Sequence, residues 1–392
     1  MTENFCTHCG IQLSDKAVFC HMCGSKIEYV KGVAVATPFE EPSAPPKQKV
    51  PSAAPIAPVQ PIYRRPKTIG LGVVIILFIV VPGILIGIFG TINFVDVGEL
   101  NFEIDSLVET NIVLNIDNSV GSVDISYDSS ATKLFEATLE VKGRPGSSLD
   151  DTKNFHSIYE SGVAHEITFD SGDQSFFFWN KEAFTYEITI KLHPEAVVDY
   201  SVLTSTGSSS LVTNGIDNLD ITDIYFTAST GRVTIDLSGS VNTTIGDLDL
   251  SASTGRVSAN LGERTTLETT NVNIDTSTGG INIAYKDIIV TGDIAWVIEA
   301  STGSIVMTIE QNLVLPINYT ASFDVDASTG SITLNINFNL AIGYSIEGLA
   351  STGTVDILGS GSSYTSPGYD LADNQYYFDL EASTGTVTAV QL

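Results

Sequence analysis

Hydrophobic and polar residues alternate on both sides of a tetrapeptide that recurs through the second half of the chain. The position five residues before its final glycine is apolar in seven of eight copies, and the position three before is Ala or Thr. Apolar residues return two and four residues after the glycine. A period of two predicts β-strands. The tetrapeptide, Ala or Thr followed by Ser-Thr-Gly, ends at Gly207, Gly231, Gly255, Gly279, Gly303, Gly330, Gly353 and Gly385.

The spacing of this tetrapeptide predicts a repeated fold. Successive glycines are 24, 24, 24, 24, 27, 23 and 32 residues apart. The inward positions change parity at the glycine, which predicts a corner between two strands there. One corner per repeat favours a mostly β fold, a right-handed parallel β-solenoid or β-helix with coils of about 24 residues over 201–392. The alternative is a propeller or barrel of eight hairpins.

Two further features concern the ends of this repeat. Residues 96–200 are less regular and predict a β-rich section that caps the first coil, with a degenerate earlier copy turning at Gly121. At the other end, the sequence predicts an open strand edge at the copy of Gly385. The additional segment at 360–375 is expected to fold over that edge. If it does not, the edge is expected to self-associate.

The repeat resembles the putative-adhesin family of β-strand-repeat proteins. The resemblance rests on text such as ASTGRVTIDL at 228–237 and ASTGSITLNI at 327–336, and it covers roughly 200–392. It implies a β-helical fold and carries little information about activity.

Acidic residues occupy two outward columns of the repeat. In-register stacking places equivalent residues about 4.8 Å apart, where like charges repel. Two mechanisms could reduce this repulsion between carboxylates. One is the binding of divalent cations, calcium above all, and the other is screening by ordinary salt. The residues are Asp249, Asp324, Glu347 and Asp379, six before the glycine, and Asp275, Glu299, Asp326 and Glu381, four before it.

A long apolar segment precedes the repeat. Residues 68–95 carry no charged side chain over 28 positions, which predicts one transmembrane helix; a buried soluble helix is the alternative. Residues 31–67 are rich in proline and predict an extended linker. Basic residues come directly before the apolar segment and acidic residues directly after it, which places the N-terminus in the cytoplasm and the C-terminal domain outside the cell.

All four cysteines lie at the N-terminus, in two Cys-x-x-Cys-Gly motifs within residues 1–30. Four thiolates in a tetrahedron favour one structural Zn²⁺, whereas two disulfides are the alternative reading. The predicted metal ligands are Cys6, Cys9, Cys20 and Cys23. This run resembles the short zinc ribbons at the N-terminus of many archaeal and bacterial membrane proteins. The resemblance covers about residues 4–27 and implies a structural or interaction role.

The distribution of charge along the chain excludes some classes of function. The formal net charge is −28, and residues 1–67 sum to +3 while residues 96–392 sum to −31. An acidic chain without a basic face argues against nucleic-acid binding. Arg232 and Arg256 share one column and could bind an anionic sugar, although plain surface charge explains them too. Catalytic motifs are not evident, so no catalytic or organic-cofactor residues are predicted.

These observations predict a single-pass protein of the cell membrane that is not an enzyme. Its external β-solenoid would serve adhesion or interaction with an extracellular protein or glycan. One alternative is a transmembrane sensor in which the zinc ribbon contacts a cytoplasmic protein. The other alternative is a surface enzyme that processes polysaccharides, since such enzymes also use β-helices.

Overall fold

The computed structural model describes most of the C-terminal region and four short N-terminal strands. The strands are β1 (Asn4–Phe5), β2 (Gln12–Leu13), β3 (Glu28–Val30) and β4 (Val33–Val35). The chain divides into two compact units, 1–75 and 76–392. In the second unit the described residues are 94–105, 110–149, 156–160, 164–171 and 184–392.

The predicted membrane span at 68–95 lies outside the described residues except at its C-terminal end. Among the residues that are described, no helix has the length and apolar character needed to cross a bilayer. The predicted C-terminal boundary of the span at Val95 is wrong. Val95 is the first residue of a strand and pairs with Gly143. Alternation of apolar and polar residues begins at this point and favours an extended chain.

The section before the repeat is β-rich, as predicted, and it forms a mixed sheet. The central strand β11 pairs antiparallel with β8 and parallel with β7, and β8 pairs antiparallel with β5. Strands β6 and β7 pair in parallel with the first strand of the repeat, which closes that end of the stack. The strands are β5 (Val95–Ile104), β6 (Asn111–Val120), β7 (Val123–Tyr127), β8 (Phe135–Gly143), β9 (His156–Glu160), β10 (His165–Asp170) and β11 (Phe184–Leu192).

Strands of successive copies of the tetrapeptide pair in parallel and in register. Gly207 lies opposite Gly231, Gly231 opposite Gly255, and Gly255 opposite Gly279. Parallel pairing argues against the alternative of hairpins, whose strands pair antiparallel. The strands are β12 (Val197–Val212), β13 (Asp220–Asp236), β14 (Thr244–Glu263), β15 (Thr266–Leu267), β16 (Asn271–Lys286), β17 (Ile289–Val290), β18 (Ile294–Thr302), β19 (Ile305–Gln311), β20 (Tyr319–Phe338), β21 (Gly343–Ile357), β22 (Ser363–Thr365) and β23 (Asn374–Gln391); a 3₁₀ turn spans Tyr369–Leu371.

The predicted corner between two strands is wrong in one respect. In most copies a single strand continues through the tetrapeptide, as in β12, β13 and β14. The pairing passes over the serine of the tetrapeptide, and the following glycine has a φ between 145° and 151°. Because the serine is an additional residue in the strand, side chains that point inward are at odd positions before the bend and at even positions after it. The observed burial follows the predicted parity on both sides of this bend.

The glycines of the bends form a line in which backbone touches backbone. A Cβ built on Gly255 would lie 1.4 Å from the carbonyl oxygen of Gly231, and one on Gly231 would lie 1.4 Å from that of Gly207. The line also includes Gly121, whose carbonyl oxygen would lie 1.7 Å from a Cβ on Gly207, so the degenerate earlier copy is confirmed. No residue other than glycine fits this spacing. The register of the whole stack is therefore fixed at the bends.

The last two copies do not follow chain order. Strand β23 pairs with β20 on one side and with β21 on the other, so Gly385 lies between Gly330 and Gly353. The predicted open edge at the copy of Gly385 is therefore wrong. The outermost strand of the described stack is β21, and its outer side pairs antiparallel with β22 only at Ser345–Glu347. The additional text at 360–375 does fold over this end, as expected, but it covers only part of the edge.

Side-chain size explains this order. Gly348 occupies the position five before the bend, where Val325 and Leu380 of the neighbouring copies fill the core. The space beside Gly348 is occupied by Val355 and Ile357 of the same copy, which would lie 2.9 and 3.0 Å from an added Cβ. Strand β23 also carries Phe378, which stacks on Phe323 at a centroid distance of 4.6 Å. The better-filled strand therefore lies inside and the poorer one at the end.

Replacing a glycine of the line should unfold part of the stack. For Gly255→Ala we expect a loss of stability above about 3 kcal/mol, because the new Cβ overlaps the Gly231 carbonyl and a positive φ adds strain. The measurement is the free energy of unfolding in denaturant.

Gly292→Ala is the matched control, because a Cβ there meets no heavy atom within 4 Å. This variant should stay within about 0.5 kcal/mol of the parent protein. Equal effects of the two substitutions would contradict the close stacking of the glycines.

Candidate functional site

The acidic face comprises the eight carboxylates predicted to point outward. All eight side chains are exposed or half-buried, so the predicted orientation is confirmed. In the column four residues before the bend, Asp275 pairs in register with Glu299, Glu299 with Asp326, and Asp326 with Glu381. Four acidic residues are therefore stacked without interruption. None of them forms an ion pair within residues 184–392.

The second column of the acidic face depends on the order of the last strands. Asp379 lies between Asp324 and Glu347, because β23 lies between β20 and β21. Asp249 is apart from these three, since its in-register neighbour is Asn273. The acidic face is thus densest where the last copies meet.

Burial and like charge raise the pKa of several of these carboxyls. Partial burial raises the pKa of Asp275, and the carboxylates of Asp249 and Glu299 raise it further. Partial burial also raises the pKa of Asp379, with Asp324 and Glu347 adding to the effect. Both shifts mean that the charged form is disfavoured in the folded state.

The expectation of calcium on the acidic face gains no support. In the part of the chain that the structure describes, no group of three or more carboxylate, thiolate or imidazole side chains is placed to hold a metal ion. The acids follow straight columns at strand spacing, whereas Ca²⁺ requires six to eight oxygens around one point.

A third acidic column was missed by the sequence analysis. Asp199, Asp223 and Asp247 pair in register eight residues before the bend. The backbone N–H of Asp247 donates to Oδ1 of Asp223 at 2.8 Å, and the Tyr225 hydroxyl donates to Oδ2 of Asp247 at 3.0 Å. Partial burial raises the pKa of Asp199, and Asp223 raises it further. The 24-residue spacing of these aspartates was the available signal.

A second outward face begins after the bend, and it differs in chemistry. We call it the hydroxyl-rich face; it comprises the positions one and three residues after each glycine of the bends. Most of its side chains are Ser, Thr or Asn, and some make contact between layers, as Ser331 does with Ser304 at 3.2 Å. Its members are Ser208, Ser210, Arg232, Thr234, Arg256, Ser258, Gly280, Asn282, Ser304, Val306, Ser331, Thr333, Thr354, Asp356, Thr386 and Thr388.

Two arginines interrupt the hydroxyl-rich face. Arg232 pairs in register with Arg256, as predicted, with Ser208 before them and Gly280 after them. Both side chains are exposed, and neither has a carboxylate within 4 Å among residues 184–392. They line a depression together with Gly207, Gly231, Gly255 and Gly279.

The predicted zinc ligands lie outside the described residues, so their arrangement stays a prediction. The strands on either side of the first motif are described, and they pair antiparallel, with Asn4 opposite Leu13 and Phe5 opposite Gln12. The first cysteine motif, with Cys6 and Cys9, lies between these two strands in the sequence. Four thiolates are a donor set that suits zinc.

Comparison with known proteins identifies the N-terminal module. Residues 5–27 match the zinc-ribbon domain, as the sequence predicted. No curated protein sequence matches the chain.

Solved structures with a similar arrangement have low sequence identity. A putative cell adhesion protein from Clostridium sporogenes is 12% identical, with 75% of this chain and 99% of that chain covered and a TM-score of 0.25. Putative adhesins from Bacteroides fragilis and Parabacteroides distasonis are 11% and 14% identical. Each covers 75% of this chain and 97% of its own, with TM-scores of 0.33 and 0.34.

Neutralising one carboxylate of the acidic face should stabilise the fold at neutral pH. The raised pKa of Asp275 means that its contribution to stability is present in acid and is lost as the pH rises through its folded-state pKa. For Asp275→Asn we expect a gain of roughly 0.2–1 kcal/mol at pH 7 and low salt, because a like charge is removed. The gain should shrink in high salt and disappear below about pH 3.5, where aspartate is protonated.

Glu195→Gln is the matched control, because this exposed carboxylate lies in a turn outside the acidic columns. Thermal melts of both variants at several pH values make the comparison. A loss of stability in Asp275→Asn at pH 7 would contradict the repulsion inferred here.

Proposed function

We propose that the chain is a membrane-anchored protein of the cell surface whose external repeat binds an extracellular glycan or protein. It acts in adhesion or interaction rather than catalysis. The zinc ribbon lies in the cytoplasm in this proposal, and the repeat winds as a right-handed β-solenoid with coils of about 24 residues. The in-register offsets of 24 residues and the right-handed rule for parallel crossovers support that winding.

One observation carries the proposed function, namely the recurrence of exposed polar side chains at equivalent positions in most layers. The hydroxyl-rich face presents two outward positions per copy at strand spacing, most of them Ser, Thr or Asn, and its strands are fixed by the line of glycines. A rigid array of equivalent groups suits a partner that is itself repetitive, because weak contacts then add. The acid columns have no ion-paired lysine or arginine within residues 184–392, which speaks against paired acid and base chemistry there.

Charge distribution and the apolar segment support the proposed topology. The charge-free residues 68–95 separate a region of net charge +3 from one of −31, which satisfies the positive-inside rule with the repeat outside. Thiolate zinc sites persist in reducing compartments, which favours a cytoplasmic ribbon.

The zinc ribbon makes a direct prediction about metal and thiol content. We expect one zinc per chain by elemental analysis, held by Cys6, Cys9, Cys20 and Cys23, and loss of that zinc in Cys6→Ser/Cys9→Ser. Thiol titration of the denatured, unreduced chain with chelator should then find four thiols. No reactive thiols and no zinc would support two disulfides instead.

Display on cells tests the proposed function. Cells that express the full chain should bind beads coated with a panel of polysaccharides and proteins better than cells expressing a chain truncated after residue 95. Protease added to intact cells should abolish the difference by removing the repeat. Binding equal to that of the truncated control, or a repeat that resists protease until the cells are lysed, would contradict the proposal.

A further inference from the structure

We propose that Arg232 and Arg256 form a binding site for a polysaccharide that carries sulfate or carboxylate groups. The inference rests on the proposed function and specifies the ligand class. It assigns the contact to the hydroxyl-rich face and not to the acidic face.

The first argument is electrostatic. Arg232 and Arg256 are directly opposite on adjacent parallel strands, about 4.8 Å apart along the stack. Like charges at such positions destabilise a sheet unless a counter-charge compensates them. The region beyond residue 95 carries 41 acidic residues, yet no described carboxylate lies within ion-pair distance of either arginine. Elsewhere in the repeat, Lys286 forms an ion pair with Glu263 at 2.9 Å.

The second argument is the shape of the surface around the pair. Four glycines of the line are among the residues that surround the depression beside the arginines, and Gly280 follows Arg256 in the same column. Side chains therefore do not fill the space next to the guanidinium groups. An extended chain can lie along the stack there and reach both arginines.

The third argument is the chemistry of the neighbouring column. Ser210, Thr234 and Ser258 lie two residues further along their strands and supply a row of hydroxyl groups beside the arginines. Hydroxyl groups donate to and accept from the hydroxyls of a sugar, while guanidinium groups bind sulfate or carboxylate through two parallel hydrogen bonds. A charged polysaccharide uses both sets of groups, whereas a lone anion uses only the arginines.

One carboxylate in the depression is already engaged. Asp124 accepts a hydrogen bond from the Ser210 hydroxyl at 2.7 Å, two layers away from Arg232 along the stack. It limits the site on that side, because an anionic chain extending further would meet its charge. The predicted path of the ligand therefore runs from Arg232 past Arg256 toward Asn282.

The test compares polymers and variants using the purified full chain in detergent. The parent protein should bind dextran sulfate, and it should bind neutral dextran far more weakly. Arg232→Gln/Arg256→Gln should weaken dextran sulfate binding at least about tenfold, because the charge-assisted hydrogen bonds are lost. Inorganic sulfate at matched ionic strength should displace dextran sulfate poorly when the two are compared at the same concentration of sulfate groups.

A control of equal charge separates this site from general electrostatics. Lys191→Gln/Arg264→Gln removes the same charge from exposed residues outside the depression, and it should change binding less than about threefold. Thermal melts show whether each variant is folded, and the arginine variant should melt no lower than the parent since a stacked pair of like charges is removed.

Three results would overturn the inference: no binding by the parent protein, equal losses in both double variants, or competition by inorganic sulfate as effective as that by the polymer. Failure here is distinguishable from failure of the proposed function. If cells bind a neutral glycan or a protein as strongly with Arg232→Gln/Arg256→Gln as without it, the proposed function stands and the arginine site is wrong.

Discussion

The close contact between glycine backbones along one line constrains the rest of this structure. Each bend carries a glycine whose missing side chain leaves room for the carbonyl oxygen of the glycine in the next layer, at 1.4–1.7 Å from where a Cβ would lie. Neighbouring layers can therefore align in only one register at the bend. Because a shift of one residue would exchange the inward and outward faces, this line also decides which side chains form the core. The acid columns and the stacked arginines are consequences of the same register.

The sequence was sufficient to predict the pairing within most of the repeat, because that pairing depends on local alternation and on a spacing that is 24 residues in four consecutive intervals. It was not sufficient for the end of the stack. Chain order gave Gly385 as the last layer, whereas the fold places Gly353 there and inserts β23 inside. The signal was Gly348, the single residue in its column without a side chain, but its meaning depends on how the core is filled. Competition between two strands for one interior position is a tertiary effect that spacing alone does not describe.

Some features of the candidate site follow from the spacing of the sequence, and others depend on contacts between distant parts of the chain. The acid columns nearest the bend follow from periodicity, as does the stacking of Arg232 on Arg256. Which carboxylates lie next to Asp379 does not follow, because it depends on the inserted strand. The column of Asp199, Asp223 and Asp247 is visible in the 24-residue spacing, but it lies further from the glycine than the apolar columns that define the repeat. The pair of arginines was visible in the sequence as a possible site for an anionic sugar, whereas only the structure shows the depression that they line.

Disulfide trapping tests the order of the glycine line most directly. Thr329 lies opposite Thr384 on the neighbouring strand, while Thr352 follows one layer further out. Adjacent strands bring paired Cα atoms within the 4.4–6.8 Å that a disulfide requires. Thr329→Cys/Thr384→Cys should therefore oxidise to a disulfide between the two introduced residues, identified by mass spectrometry of peptides, and Thr329→Cys/Thr352→Cys should not. A disulfide between positions 329 and 352 without one between 329 and 384 would contradict the account, because the layers would then follow the order of the chain.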